Sequence, residues 1–386
     1  MKRFKPMIEG LEHRYALTVA AVVDDGDLIV TGDATAAVTI TAVDADTYEV
    51  KEGNEVVATL DGVTDDIRIK IDASGDANDQ VTLDLNGQSI DKLMVDLGGG
   101  DNDFTLTGGT MAGDFLYKGG DGDDNVTIAD DANVEKSVAL RLGAGDNSAT
   151  VNGDVGRDLS VQAGAGDDSV AVATDVVIGR MFAAYLGNGD NDVSLDGDVT
   201  RDAAILTGSG DDTISILAAA TVGRSLLTSV GSGDNTVSIA GDVTGNVNIC
   251  GGSGNDTVSV TSDATIEGNL SAQLGSGSNT LTDDGTIDGD LRVTSSNADD
   301  VVTVADTATV GGEQLINLGV AMGGGGGQGG GHRGPGGPRG GRGPGGFGGG
   351  FGGFGGFGGG AGSGAGGGTS SGSGSTGTTS TSSLRR

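Results

Sequence analysis

The residues of this chain best placed to do chemistry are the aspartates of a glycine-rich turn that recurs along most of its length. The turn first occurs clearly as GGGDND at Gly98. Eight related copies begin at Gly120, Gly143, Gly164, Gly187, Gly208, Gly231, Gly252 and Gly275. Degraded copies occur before this series at Gly75 (GDANDQ) and after it at Ser296 (SNADDV). Carboxylates repeated at a fixed spacing attract cations and accept hydrogen bonds.

Counted from the residue before the first glycine given above, so that the turn at Gly98 starts at Leu97, the acids occupy the fifth and sixth positions of these turns. The fifth-position aspartates are Asp101, Asp123, Asp146, Asp167, Asp190, Asp211 and Asp234. The sixth position alternates between two residue types, with Asp79, Asp124, Asp168, Asp212, Asp256 and Asp300 separated by Asn102, Asn147, Asn191, Asn235 and Asn279. Successive turns lie mostly 23 and 21 residues apart, so the full period is close to 44 residues.

The segments between the turns alternate apolar and polar residues, which predicts β-strands. Val126 and Ile128 follow one turn, whereas Val138, Leu140 and Leu142 precede the next. Each unit is therefore a strand, a short turn, a second strand and a Gly-Asp turn. One unit cannot bury its apolar face alone, but stacked units can. The sequence predicts an all-β chain whose repeats form a parallel β-solenoid.

Two coil lengths fit this pattern. A coil of about 22 residues would hold one Gly-Asp turn, and two such rungs would pair into the 44-residue repeat. A 44-residue coil would hold four strands and two turns. We favour the 22-residue coil, because consecutive turns are near-copies and would lie directly above one another.

Composition divides the chain into four regions. The solenoid repeats are predicted over residues 97–322, after an N-terminal β-region over residues 26–96 that leads in and caps the first rung. Residues 1–25 form a leader, and residues 323–386 form a Gly-, Arg-, Phe- and Ser-rich tail predicted to be disordered. With 78 glycines and no tryptophan, the core must be thin and built from Val, Ile, Leu and Ala.

Several classes of function are disfavoured by the composition. Five arginines lie beyond the last acidic residue, Glu313, and the other 16 basic and 55 acidic residues give the body a formal charge of −39. Such a body repels nucleic acid and attracts cations. The single cysteine excludes an intrachain disulfide, and no apolar run is long enough for a transmembrane helix. The only histidines, His13 and His332, lie outside the repeats, so we expect no enzyme activity.

The Gly-Asp turns resemble the nonapeptide of RTX (hemolysin-type) calcium-binding repeats, most fully at Gly119–Thr127 and Gly251–Ser259. That resemblance implies Ca²⁺ bound between stacked turns by carboxylates and turn carbonyls, the oxygen ligands that this ion prefers. The implied ligands are Asp79, Asp101, Asp123, Asp124, Asp146, Asp167, Asp168, Asp190, Asp211, Asp212, Asp234, Asp256 and Asp300. Here, however, the turn recurs every 22 residues on one edge, whereas RTX arrays place one every nine residues on both edges.

The alternation of Asp and Asn leaves a second interpretation open. Stacked carboxylates about 4.8 Å apart would repel one another. An intervening Asn doubles that spacing and offers an amide N–H, so the sixth position can form a ladder without metal. At the fifth position, Asp follows Asp in nearly every turn, so no alternating Asn reduces the repulsion between carboxylates there. This favours a bound cation.

The N-terminal segment Leu11–Leu17 (LEHRYAL) resembles the LEPR-XLL motif of large exported bacterial surface proteins, with His13 in place of its proline and Ala16 in place of the first leucine of its LL pair. This resemblance implies an extracellular or cell-surface location. We therefore expect an exported structural or adhesive solenoid with Ca²⁺ along its acidic edge. The alternative is a metal-independent solenoid that assembles into an extracellular fibre or matrix. Its partners would be cations, further copies of itself, or cell-surface and matrix components.

Overall fold

A computed structural model describes residues 19–71 and 77–319 of the chain. Within these residues every regular element is a β-strand, which confirms the predicted all-β class. Most of the predicted leader and all of the predicted tail lie outside the described residues.

Two 14-stranded sheets carry most of the structure. The strands that follow the Gly-Asp turns form the post-turn sheet, in the order Glu55–Asp61, Thr47–Glu52, Val38–Ala42, Gln80–Asp84, Asp103–Thr107, Asn125–Ile128, Ser148–Val151, Ser169–Val172, Asp192–Leu195, Thr213–Ile216, Thr236–Ile239, Thr257–Val260, Thr280–Asp283 and Val301–Val304. The strands that precede the turns form the pre-turn sheet, in the order Val19–Asp24, Asp27–Gly32, Ile67–Ile71, Leu93–Asp96, Phe115–Lys118, Val138–Gly143, Leu159–Ala163, Phe182–Gly187, Ala203–Thr207, Leu226–Ser229, Val247–Ser253, Leu270–Ser276, Leu291–Ser295 and Gln314–Asn317.

A third sheet of very short strands lies where the sequence predicted only a turn. These strands are Ser89–Ile90, Gly109–Met111, Ala132–Val134, Val177–Ile178, Asp198–Val199, Thr221–Val222, Asp242–Val243, Thr265–Ile266, Thr286–Ile287 and Thr309–Val310. Val155 bridges Val134 and Ile178, which joins the two parts of this short sheet. Each coil therefore has three sides rather than two. The third side was not predicted, because strands of only two or three residues show too little alternation of apolar and polar residues to be identified from sequence.

The strand register settles the length of the coil. Asn125 pairs in parallel with Ser148, and Ser148 pairs with Ser169. Within the repeats, each strand thus lies on the equivalent strand of the next coil, 21 to 23 residues along the chain. The predicted 22-residue rung is confirmed, and the 44-residue coil is wrong.

The 44-residue pair arises from two kinds of corner between the post-turn and short strands. A long corner (residues 129–133) contains an extra turn, in which the Ala132 backbone N–H donates to the Ala129 carbonyl at 3.1 Å. The next coil has a short corner (residues 152–154), where a Cβ on Gly153 would lie only 1.8 Å from the Ala132 carbonyl oxygen. Glycine is required there because the two unlike corners interlock. Their alternation accounts for the alternation of coil lengths.

The core is a set of inward-facing columns, one residue per coil. In one coil Val126, Ile128, Val134, Val138 and Leu140 are each at most 1% exposed. Full burial of such a side chain contributes about 1.5–3 kcal/mol. Because parallel pairing places like positions above one another, these contributions repeat along the stack, and a thin core suffices.

The N-terminal end of both long sheets is formed by antiparallel strands. Val19–Asp24 pairs antiparallel with Asp27–Gly32, and Thr47–Glu52 pairs antiparallel with Glu55–Asp61. Tyr48 is fully buried beneath them. These strands lie within and beside the region that sequence analysis assigned to capping, and among the described residues they form the N-terminal edge of each long sheet.

The last described coil is more open. Its strands Val301–Val304 and Gln314–Asn317 are the terminal strands of the two long sheets. Val301 is 53% exposed and Leu315 is 44% exposed. In the part of the chain that the structure describes, no strand covers this end.

One carboxylate lies in an otherwise apolar core column near this end. Asp283 pairs with Val260 on one side and Val304 on the other and is 0% exposed. Its Oδ1 accepts the Gly285 backbone N–H at 3.2 Å, whereas its Oδ2 has no hydrogen-bond partner among the described residues. Burial raises the pKa of Asp283 above its ordinary value. A buried acceptor left unsatisfied costs about 1–3 kcal/mol.

We expect D283V to raise the thermal midpoint of unfolding at pH 7.5, because valine matches both neighbours in the column and removes the unsatisfied oxygen. The free energy of unfolding should increase by about 1–2 kcal/mol, once the loss of the hydrogen bond from the Gly285 backbone N–H is included. The half-buried neighbour provides the control, since D284V leaves the core column unchanged and should not stabilise the chain. Equal midpoints for D283V and the native chain would contradict this account.

Candidate functional site: two side-chain ladders at the Gly-Asp turns

The turns stack closely because their fourth residue is a glycine in the left-handed region. Gly145 has φ 110° and Gly166 has φ 133°. A Cβ on Gly166 would lie 2.1 Å from the Gly145 carbonyl oxygen of the preceding coil. Any side chain would therefore force the turns apart. The same glycine brings the fifth and sixth residues of successive turns within hydrogen-bonding reach.

The sixth-position residues form a continuous inner ladder. The Asn147 backbone N–H donates to Asp168 Oδ1 at 3.1 Å, and the Asp168 backbone N–H donates to Asn191 Oδ1 at 3.2 Å. The Asn147 side-chain amide also donates to Asp168 Oδ1 at 2.8 Å. The backbone contact repeats without a break from Asp79 through Asn102, Asp124, Asn147, Asp168, Asn191, Asp212, Asn235 and Asp256 to Asn279 and Asp300. From Asn102 to Asp300, each residue of the ladder thus accepts a backbone N–H of the preceding coil through a side-chain oxygen.

Burial sets the protonation behaviour of the inner ladder. Asp168 is 1% exposed, and its Oδ2 has no hydrogen-bond partner among the described residues. Burial raises the pKa of Asp168 to about 6, against the lowering effect of the Asn147 hydrogen bonds. Burial likewise raises the pKa of Asp124 to about 6 and raises that of Asp212. Alternating neutral Asn keeps these desolvated carboxylates two coils apart.

A second alternation, which sequence analysis missed, accompanies the first. The residue five places before each inner-ladder Asp is Gly, Ala, Ser or Thr, whereas the residue five places before each Asn is Leu or Val. The first set comprises Ser74, Gly119, Ala163, Thr207, Gly251 and Ser295; the second comprises Leu97, Leu142, Leu186, Val230 and Leu274. A Cβ on Gly119 would lie 1.7 Å from Asp124 Oδ2, and the Ser295 hydroxyl donates to Asp300 Oδ2. The small residue makes room for the second carboxylate oxygen, so the covariation within the repeat was the signal available in the sequence.

The fifth-position residues form an exposed outer column with the opposite direction of donation. The Asp146 backbone N–H donates to Asp123 Oδ1 at 2.7 Å, and the Asp167 backbone N–H donates to Asp146 Oδ1 at 2.7 Å. The column comprises Asp101, Asp123, Asp146, Asp167, Asp190, Asp211 and Asp234. Its outer-column carboxylates each accept a backbone N–H of the following coil. Asparagine serves equally at its ends, since Asn78 Oδ1 and Asn255 Oδ1 accept the same bond.

The predicted ligands are therefore brought together as two columns rather than as compact clusters. Among the described residues, one group of three acidic side chains has ligand oxygens within 4.8 Å of one another, and it consists of Asp27, Asp65 and Asp66. None of these three was a predicted ligand. Arg68 already contacts Asp27 at 2.9 Å and Asp66 at 3.4 Å, and the Lys92 ammonium lies 3.8 Å from Asp66.

The donor set of the columns differs from a typical Ca²⁺ site. Ca²⁺ takes six to eight oxygen ligands. In the inner ladder Oδ1 is occupied by amide donors and Oδ2 is buried below the turn. In the outer column, whose residues are exposed, one oxygen accepts a backbone N–H; the second oxygen of Asp101 and that of Asp234 also accept an Asn side-chain amide. The outer column is thus the part of the predicted set that a cation can approach from solvent.

No protein-family model, curated protein or solved structure matches this chain. Among the described residues there is no helix that could span a membrane. The class of protein is set by the fold and the ladders, which together define a parallel β-solenoid repeat protein.

The raised pKa values predict how stability depends on pH. A carboxyl group whose pKa rises on folding stabilises the fold when protonated. Its contribution is complete below about pH 4 and is lost as pH rises through about 6. We therefore expect the urea concentration at the midpoint of unfolding to decrease as the pH is raised from about 4 to about 6.

The D124N/D168N variant tests the origin of this fall. Asparagine does not titrate, and its side-chain oxygen can accept the same backbone N–H, as in Asn147. The decrease in urea midpoint should be smaller in this variant. A decrease as steep as that of the native chain would assign the pH dependence to other acids.

Proposed function

We propose that this chain is an exported structural component, a solenoid that acts as a scaffold at or beyond the cell surface and holds its coils together without metal. The observation that carries this proposal is the unbroken inner ladder from Asp79 to Asp300. Five of the carboxylates that suggested metal ligands have a structural role in it, because Asp124, Asp168, Asp212, Asp256 and Asp300 each accept a backbone N–H that the turn would otherwise bury unsatisfied.

The outer column supports the same proposal. Its carboxylates accept a backbone N–H at about the same distance in coil after coil, as at Asp123 and Asp146. Asn255 occupies the same position without a charge. Cohesion between coils therefore requires the acceptor oxygen and does not require the negative charge.

A second candidate function is Ca²⁺ binding along the outer column. Seven consecutive coils each place an exposed aspartate there, and none of the seven forms an ion pair with Lys or Arg among the described residues. Stacked like charges destabilise a sheet, so a divalent cation on the outside would stabilise the fold. The resemblance of the turns to RTX repeats favours the same ion.

Thermal melts separate structural metal from an external counter-ion. We expect the native chain to melt at the same temperature with and without a chelator, and Ca²⁺ in the millimolar range to raise that temperature by a few degrees. In D123N/D146N/D167N/D190N, which removes four of the seven outer-column charges, the Ca²⁺ effect should fall to about half or less. The fold should persist, since Asn retains the acceptor oxygen. A large fall in melting temperature under chelator would overturn metal-independent cohesion.

The matched control removes the same number of charges elsewhere. D130N/D175N/D263N/D306N changes four exposed acids in the long corners and leaves both ladders intact. This variant should keep the native response to Ca²⁺. If it loses the response as fully as the outer-column variant, the ion acts on total charge rather than on the column.

Export is proposed from the leader, of which residues 1–18 lie outside the described ones. The support is the resemblance of Leu11–Leu17 to the LEPR-XLL motif. A fusion of residues 1–25 to a reporter should reach the cell exterior in a bacterium that exports LEPR-XLL proteins. A fusion with Leu11, Arg14 and Leu17 replaced by alanine should remain inside. Equal distribution of the two fusions would remove the leader from the account.

A further inference from the structure

A column of basic side chains lies on five consecutive coils. The Arg180 backbone N–H donates to the Arg157 carbonyl at 2.9 Å, the Arg201 N–H to the Arg180 carbonyl at 3.0 Å, and the Arg224 N–H to the Arg201 carbonyl at 2.8 Å. Lys136 precedes Arg157 through the same bond at 3.0 Å. We name Lys136, Arg157, Arg180, Arg201 and Arg224 the basic stripe. It contains five of the twelve basic residues between positions 19 and 319.

The fold does not explain the basic stripe. Arg180 contacts Asp158 at 3.4 Å and Arg224 contacts Asp202 at 3.3 Å, whereas the other three form no ion pair among the described residues. The next coils place Gly245, Gly268 and Gly289 at the equivalent position, so the backbone does not need a long side chain there. Like charges on adjacent strands destabilise a sheet, and ion pairs among the described residues offset only two of these five charges.

The outer column provides a complement with the same repeat. Both features carry one charge per coil, and both follow the same rise of about 4.8 Å per strand. They cannot meet within one molecule, because the pre-turn strands lie between them. A five-residue strand such as Leu159–Ala163 spans about 16 Å. The two surfaces can pair only between copies.

We propose that the basic stripe of one copy binds the outer column of a second copy, side by side. This interface rests on the proposed scaffold function, and the partner in it is a second copy of the same chain. The matching rise allows several ion pairs to form together at one register. Because the two surfaces differ, the contact is heterologous and can repeat, which gives lateral arrays of parallel or antiparallel solenoids.

Two observations favour a second copy over an acidic polysaccharide. A copy presents its carboxylates on a rigid stack, held in place by the backbone bonds of the outer column, so little entropy is lost on binding. A flexible polyanion would have to be straightened to match the stripe. The outer column is also long enough, because its seven acidic coils can face all five basic coils at once.

The charge of the molecule predicts an unusual salt dependence. At very low salt the repulsion between two strongly acidic bodies extends over about 30 Å and opposes association. At about 0.1 M the screening length is about 10 Å, so repulsion is reduced while touching columns still attract. At 1 M the ion pairs are screened as well. Sedimentation velocity of the full chain should show association that is strongest at intermediate salt.

Charge reversal on the basic stripe tests the surface. R157E/R180E/R201E/R224E should lower the association constant about tenfold or more, the effect of losing about 1.4 kcal/mol across several weak pairs. The matched control K70E/K118E/R141E/R292E makes the same change in net charge on the outward face of the pre-turn sheet and should associate more strongly than the stripe variant. Circular dichroism checks that both variants keep the native fold.

Zero-length carbodiimide cross-linking identifies the contact directly. The tail contains no lysine, so cross-links from Lys136, and from lysines in an R157K/R201K variant, report the stripe alone. In mixtures of ¹⁵N-labelled and unlabelled chains we expect mixed-isotope cross-links to peptides that contain Asp101 to Asp234.

The following outcomes would overturn the proposal: a monomer at every salt concentration, equal association of the two charge-reversal variants, or cross-links confined to other acids. Polygalacturonate binding that the stripe variant loses, without self-association of the native chain, would instead assign the stripe to an acidic polysaccharide. The chelator melts remain a separate readout, because they report cohesion within one copy whatever happens between copies.

Discussion

The structure depends on the hydrogen bonds that each coil makes to the coils on either side. A parallel stack satisfies the backbone of its flat faces automatically, but the tight Gly-Asp turns leave N–H groups that no neighbouring carbonyl can reach. Side-chain oxygens of the fifth and sixth turn residues accept these donors, one from each direction. Glycine at the fourth position allows the close approach, and the small or large residue before the turn adjusts the space below it. The apolar core, the repeat length and the acidic edge all follow from keeping these turns in register.

This constraint explains why so acidic a chain can fold. The outer column keeps its charges in solvent, where screening is strong and each carboxylate gains a hydrogen bond. The inner ladder is buried, and there charge is halved by placing a neutral amide in every second coil. The amide also donates to the carboxylate beside it, as Asn147 does to Asp168. Asp283 is the exception, a buried carboxylate outside the ladders with one oxygen unsatisfied.

The same constraint separates acids that belong to the fold from charges that do not. The turn aspartates serve as acceptors, so their abundance is no evidence of catalysis and only partial evidence of metal binding. The basic stripe makes no comparable contribution, and glycine replaces it in later coils. A periodic fold repeats any side chain at the coil spacing. Charges without an internal role therefore become regular surfaces that can meet other periodic surfaces.

The sequence by itself determined the all-β class, the 22-residue rung, the inward columns and the two sets of turn acids. These follow from local alternation and from internal repetition, which a single chain displays. Only the tertiary structure decided the third short strand, the opposite directions of the two ladders and the stacking of the basic stripe. It also brought Asp27 close to Asp65 and Asp66 beside Arg68. Such features depend on which atoms face one another across coils, and the spacing of residues along the chain does not specify the direction in which a side chain donates or accepts.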